Sequence, residues 1–178
     1  MSKLLIKILK SSILPASLMV IAKLAGIVIA VVVFNEPLTL SHEVDFFTVR
    51  LLFGETANTF LINTVASIIL ILSMNIGAMI VFIKQNLYLK THGSPRTVLK
   101  LSKLNLLKWI TKDDGGFVSA FMWTLFLLAT NAIVIGDSLL GNTTGALGVF
   151  AFLSTLIFVW GLVKTFESET ATIYPRWQ

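Results

Sequence analysis

The chain has 178 residues, 56% of them hydrophobic and 13% charged, with a net charge of +5. Soluble domains run at about 45–50% apolar even with glycine counted, so this is membrane composition and leaves no room for a separate soluble domain. Cysteine is absent, which excludes disulfides, thiolate metal sites, iron–sulfur clusters and a cysteine nucleophile.

The first apolar run, Ile13 to Phe34, follows Lys3, Lys7 and Lys10. A basic start before an apolar stretch is also the layout of a signal peptide. This run is longer than the usual core of about 7–15 apolar residues and has no convincing small-x-small cleavage site, so it is expected to remain as an anchor. Residues 35–59 carry Glu36, Glu43, Asp45 and Glu55 against a single Arg50. Within them Ser41 can cap a short helix, favoured by Glu43 and Asp45 and ended by Gly54, that lays Phe46, Phe47, Leu51, Leu52 and Phe53 on the membrane or on a neighbour.

The second run, Phe60 to Ile83, leads into a loop holding Lys84, Lys90, Arg96, Lys100, Lys103, Lys108 and Lys112. After the turn Gly93-Ser94-Pro95, residues 96–112 put Val98, Leu99, Leu106, Trp109 and Ile110 on one helical face, with most of the basic residues opposite. Leu101, Leu104 and Leu107 interrupt that polar side. The pattern is that of a basic interfacial helix, with Arg96, Lys100, Lys103, Lys108 and Trp109 expected at lipid headgroups, and the Asp113-Asp114-Gly115-Gly116 link leads on from it. Runs three and four, Phe117 to Gly136 and Gly145 to Val163, are joined by a short link containing Asp137 and the formal sequon Asn142-Thr143-Thr144, which reads as a turn. Lys164 and Arg176 follow.

Runs this long, without the alternation of barrel strands, satisfy their backbone groups in lipid only as helices. Twelve of the fourteen basic residues fall on one side of the four runs. The expectation is therefore an all-α integral membrane protein, residues 1–178 forming one polytopic domain of four transmembrane helices. Both termini are placed in the cytoplasm by the positive-inside rule, and a prokaryotic cytoplasmic membrane is the expected location.

One residue violates the pattern. Lys23 lies about ten residues from either end of its run, on the order of 15 Å from each interface, too deep for easy snorkelling. Ala22, Gly26 and Ala30 form a small-xxx-small-xxx-small ridge beside it, the mark of a close-packing helix face. Counting equal depth along the other runs gives Ser73 and Asn75, Thr124 and Leu127, Ser154 and Thr155, and no acid. Asp137 and Glu55 count as outer-surface residues. Lys23 is thus expected to be neutral, to reach water or headgroups, to use hydroxyls and carbonyls, to meet a carboxylate or carbonyl of another chain, or to serve a transported species, and not to find an acid of its own bundle.

Small and polar side chains also line up elsewhere: Asn63, Ala66, Ser67, Ser73 and Gly77 in the second run, Ala120, Thr124 and Asn131 in the third, Gly148, Ala151 and Thr155 in the fourth. Such stripes serve helix packing more often than they line pores. His42 and His92, the only histidines, lie in connections on opposite sides, so a bis-histidine haem is excluded. His42-Glu43-Val44-Asp45 lacks a defined ligand spacing and reads as a solvated acidic loop. No phosphate loop, catalytic triad or paired membrane carboxylates are present.

The functional expectation is a non-catalytic subunit or scaffold of a larger membrane complex, with other membrane subunits and lipids as partners and no cofactor, nucleic acid or identified small-molecule substrate. Its contact residues are Ala22, Lys23, Gly26, Ala30, Asn63, Ser67, Ser73, Gly77, Thr124 and Asn131. The alternative is a small transporter or channel component whose polar pathway passes Lys23.

Overall fold

The computed structural model describes residues 3–35, 58–93, 99, 102–103 and 116–173. Four helices account for nearly all of them: α1 Lys3–Phe34, α2 Thr59–Gly93, α3 Gly116–Leu139 and α4 Gly145–Ile173. All four are long and apolar enough to cross a membrane, and no strand occurs among the described residues. The external helix expected near residues 41–54 lies outside the described residues. So does the interfacial helix over 96–112, except for Leu99, Ser102 and Lys103, which are helical and exposed.

The helices outrun the apolar segments. Hydropathy marks where lipid ends, whereas a helix continues until a cap or breaker stops it, so α1 begins ten residues before Ile13 and α4 continues past Val163 through Lys164. Pro15 inside α1 removes one backbone bond and is itself buried, a placement tolerated where neighbouring helices enclose it. At the tip of α1, Asn35 takes a positive φ of 53° and ends the helix. Asn58 opens α2, its side-chain oxygen accepting the Leu61 amide at 3.0 Å. The α3–α4 turn is a Schellman closure: Gly141, at φ 76°, donates to the Ser138 carbonyl and Asn142 to the Asp137 carbonyl. Those bonds let five residues reverse the chain between two spans.

α2 and α3 form the centre of the bundle. α1 packs on both of them and α4 packs on both from the opposite side. α1 and α4 do not touch, and the α2–α4 contact is the sparsest. Ala22, Leu70, Ile71, Met74, Val134 and Ala151 bring all four helices together in one buried layer. From that layer α1 rises twelve residues to Phe34 and α2 eleven to Thr59, but α3 only five to Leu139 and α4 six to Gly145. At 1.5 Å per residue the α1–α2 tips stand about 17–18 Å above the layer and the α3–α4 turn about 8–9 Å above it. The two hairpins are staggered, and the step between them decides the environment of Lys23.

Candidate functional site

Lys23 follows Ala22 in α1 and so leaves the common layer at the height of the last turn of α3. Its ammonium lies 3.9 Å from Asp137 Oδ2 on α3 and 3.4 Å from Ser67 Oγ on α2, to which it donates a hydrogen bond. This corrects the expectation that no acid of its own bundle would meet it. Counting depth from the ends of each span assumes that all four spans begin and end together. The stagger lowers the outer end of α3 until Asp137 stands beside the middle of α1.

The pairing has an electrostatic reason on both sides. Asp137 occupies the last turn of α3, where the helix dipole presents partial negative charge and disfavours a carboxylate. A cation there offsets that repulsion. Lys23 and Asp137 keep 30% and 26% of their side chains accessible, so the bundle encloses neither completely.

Membrane depth follows from the lysines at the other end. Lys10, Lys84 and Lys164 lie twelve to fourteen residues below the Ala22, Leu70 and Ala151 layer, about 18–21 Å. A hydrocarbon core of about 30 Å measured from them ends roughly 9–12 Å above the layer, level with the ends of α3 and α4. With those lysines taken as the lower boundary, Lys23 and Asp137 would lie inside the hydrocarbon a few ångströms below its upper edge, and the tips of α1 and α2 would stand beyond it.

The small-residue ridge faces α2. A Cβ on Gly26 would come within 2.6 Å of Ala66 Cα and 3.1 Å of its carbonyl oxygen, so only glycine admits this approach, and Ala22 and Ala30 are buried on the same side. Gly77 leaves room for the indole of Trp123, which a Cβ there would overlap. Gly148 does the same for Ser138 of α3, whose Oγ would lie 2.6 Å from an added Cβ.

Buried and half-buried polar side chains bond to one another near the bundle's middle. Ser154 of α4 donates to Asn75 Oδ1 of α2 at 2.6 Å, and Asn131 Nδ2 of α3 donates to Thr155 Oγ1 at 2.9 Å and to Ser154 Oγ at 3.5 Å. Asn75 donates in turn to the Ile71 carbonyl. Three helices are joined by neutral groups whose remaining buried orphan is Asn131 Oδ1. Thr124 and Thr130 are buried but donate to the carbonyls four residues earlier in α3, which satisfies them without a partner helix.

Among the contact residues named from the sequence, the structure joins Lys23 to Ser67, Gly26 to α2, Gly77 to Trp123, and Asn131 to α4. Asn63 and Ser73 are half-buried on α2. Arg96, Lys100, Lys108 and Trp109 fall outside the described residues. Asp137, Asn75 and Ser154 were absent from that set. Asn75 and Ser154 carried a readable signal, since both fall at equal depth in runs otherwise apolar; Asp137 carried none without the stagger.

No family model, no curated protein and no solved structure matches this chain.

Proposed function

We propose that this protein is a non-catalytic subunit or scaffold of a larger membrane assembly, oriented with its basic end and both termini in the cytoplasm. The carrying observation is the apolar tip of α1. Val32 and Val33 are 72% and 65% exposed and Phe34 is half-exposed, on a segment that a hydrocarbon core of about 30 Å measured from Lys10, Lys84 and Lys164 leaves outside. Among the described residues nothing covers this tip, and apolar surface at the water side of a membrane boundary marks a place for a protein contact. The interior polar groups favour the same reading, because Asn75, Ser154, Asn131 and Thr155 are engaged with each other and with backbone.

The test is a photoreactive amino acid at Val32, with Val149 on α4 as the control within lipid depth, in cells making the full chain. The expected result is one discrete protein adduct from Val32 and lipid adducts from Val149. Lipid adducts alone at both, together with solute or proton flux in vesicles that Lys23→Met abolishes, would replace the subunit by the transporter alternative. In the same cells an impermeant thiol reagent should reach Leu140→Cys and spare Glu167→Cys; the opposite pattern reverses the orientation.

A further inference from the structure

The sparse α2–α4 contact leaves a groove of about 630 Å³, within the roughly 300–1,000 Å³ of small-molecule sites. Its walls are Ile76, Met79, Phe82 and Ile83 from α2 and Ile157, Phe158 and Trp160 from α4. Phe82 and Phe158 meet edge to face at 5.6 Å and form part of this lining, and Gly161 widens the groove beside Phe82. Polar groups occur only at the two ends. Asn75 closes the deep end at the hydrogen-bonded network, while Asn86, Lys164 and Thr165 rim the mouth, with Lys84 on the same turn of α2.

Length and charge together select the occupant. From Asn75 to Asn86 the groove runs eleven residues along α2, about 16 Å. Half of a hydrocarbon core of about 30 Å is one leaflet's share, so the groove accommodates the chain of a single leaflet, entering from the lysine end. Lys164 Nζ donates to Glu167 Oε2 at 2.8 Å, but both are more than half exposed. A solvent-exposed pair at i,i+3 is weak enough for a phosphate to compete for the ammonium.

We infer that the α2–α4 groove binds one acyl chain of an anionic phospholipid from the leaflet at the basic end, with its phosphate at Lys164. The bound chain fills the gap that side chains of α2 and α4 leave open.

The experiment places the full chain in phosphatidylcholine vesicles with a minority of phosphatidylglycerol, and adds probes of each lipid carrying a photoreactive group on the acyl chain. The phosphatidylglycerol probe should label peptides containing Ile76–Ile83 and Ile157–Trp160 about fivefold more than the phosphatidylcholine probe, the factor expected for one lysine near an anionic surface. Lys164→Gln, an exposed change that leaves the helices intact, should bring that ratio close to one. Gly161→Leu, which projects a side chain into the groove, should remove label there while leaving the lipid-facing side of α1 labelled as before. Equal labelling by both probes in the unaltered protein, or label no denser in the groove than along Val20–Val28 of α1, overturns the inference. A Gly161→Leu protein that fails to fold leaves the decision to the Lys164→Gln ratio.

Discussion

The two outer helices are held to central helix α2 by different means. α1 meets α2 through Gly26, Ala22, Ala30 and Ala66, a seam so close that a single Cβ at Gly26 has no space. α4 meets α2 through the Ser154–Asn75 hydrogen bond and an open groove, and α3 through Asn131. Lipid tails are as apolar as leucine, so helices in a membrane gain little from burying apolar surface against each other. What remains is tight van der Waals fit and interhelical hydrogen bonding, and the two flanks mix them differently: fit dominates the α1–α2 seam, while α4 combines hydrogen bonds to α2 and α3 with one close approach at Gly148–Ser138. The α1–α2 seam tolerates no added volume at Gly26, whereas the α4–α2 contact has room in its groove and weakens when a hydrogen-bonding partner is removed.

The largest effect expected from that contrast is at Gly26. Gly26→Leu must push α1 off the Ala66 backbone, which cannot yield as a flexible side chain would, and overpacking of this kind costs about 3 kcal/mol. Gly136→Leu, where an added Cβ meets nothing within 4 Å, should stay within about 0.5 kcal/mol. Denaturant titration of the detergent-solubilised protein, followed by helical circular dichroism, measures both. Equal tolerance at the two glycines would remove close packing as the basis of the α1 flank.

The α4 flank should respond to a smaller change. Ser154→Ala keeps the side chain's shape, deletes the donor to Asn75 Oδ1 and deletes one acceptor of Asn131. Interhelical hydrogen bonds in membranes average about 0.6 kcal/mol and reach about 1.7, so about 1 kcal/mol is expected by the same titration. Ala151→Ser in the same helix, which adds a hydroxyl instead of removing one, separates loss of bonding from general sensitivity of α4. A neutral Ser154→Ala would mean that the groove flank is held by its aromatic contacts.

How much of this contrast was legible in the sequence follows from what each flank uses. Small residues at intervals of four on one helix announce a close seam wherever they fall, so Ala22, Gly26 and Ala30 could be read without knowing their partner. Four apolar runs separated by charged links likewise fix four helices. The partner of a glycine has no such signature: nothing in the spacing of α3 says that Trp123 fills the space beside Gly77. Relative height is also invisible, because each span is read alone and its ends are taken as membrane boundaries. Stagger is a property of pairs, set by which small residue faces which large one, and it brought Asp137 to Lys23 when an end-aligned count kept them about 15 Å apart. The groove was illegible for the same reason, since it arises from two helices failing to meet.

The α1 flank also carries polar contacts, Lys23 with Ser67 and with Asp137, and the strength of the Lys23–Asp137 pair gauges where the membrane boundary lies. At 3.9 Å the contact is too long for a hydrogen bond, and neither side chain is fully enclosed by the bundle. If the boundary is level with the ends of α3 and α4, water and headgroups screen the pair, and a double-mutant cycle of Lys23→Met and Asp137→Asn should give a coupling below about 1 kcal/mol that shrinks with added salt. Asp137→Asn alone should cost little, because the ammonium keeps Ser67 and water, and the double variant should be about as stable as the starting protein because the desolvation of both charges goes with their attraction. If the boundary instead lies at the tips of α1 and α2, the pair is deep in hydrocarbon, beyond the reach of headgroups and water. Removing one partner would then strand a charge at a cost of about 3–5 kcal/mol, with no response to salt. A coupling of that size would move the boundary outward, return the α1 tip to lipid, and take away the exposed apolar surface on which the subunit reading rests; a coupling below 1 kcal/mol leaves Val32, Val33 and Phe34 outside the hydrocarbon and in need of a covering partner.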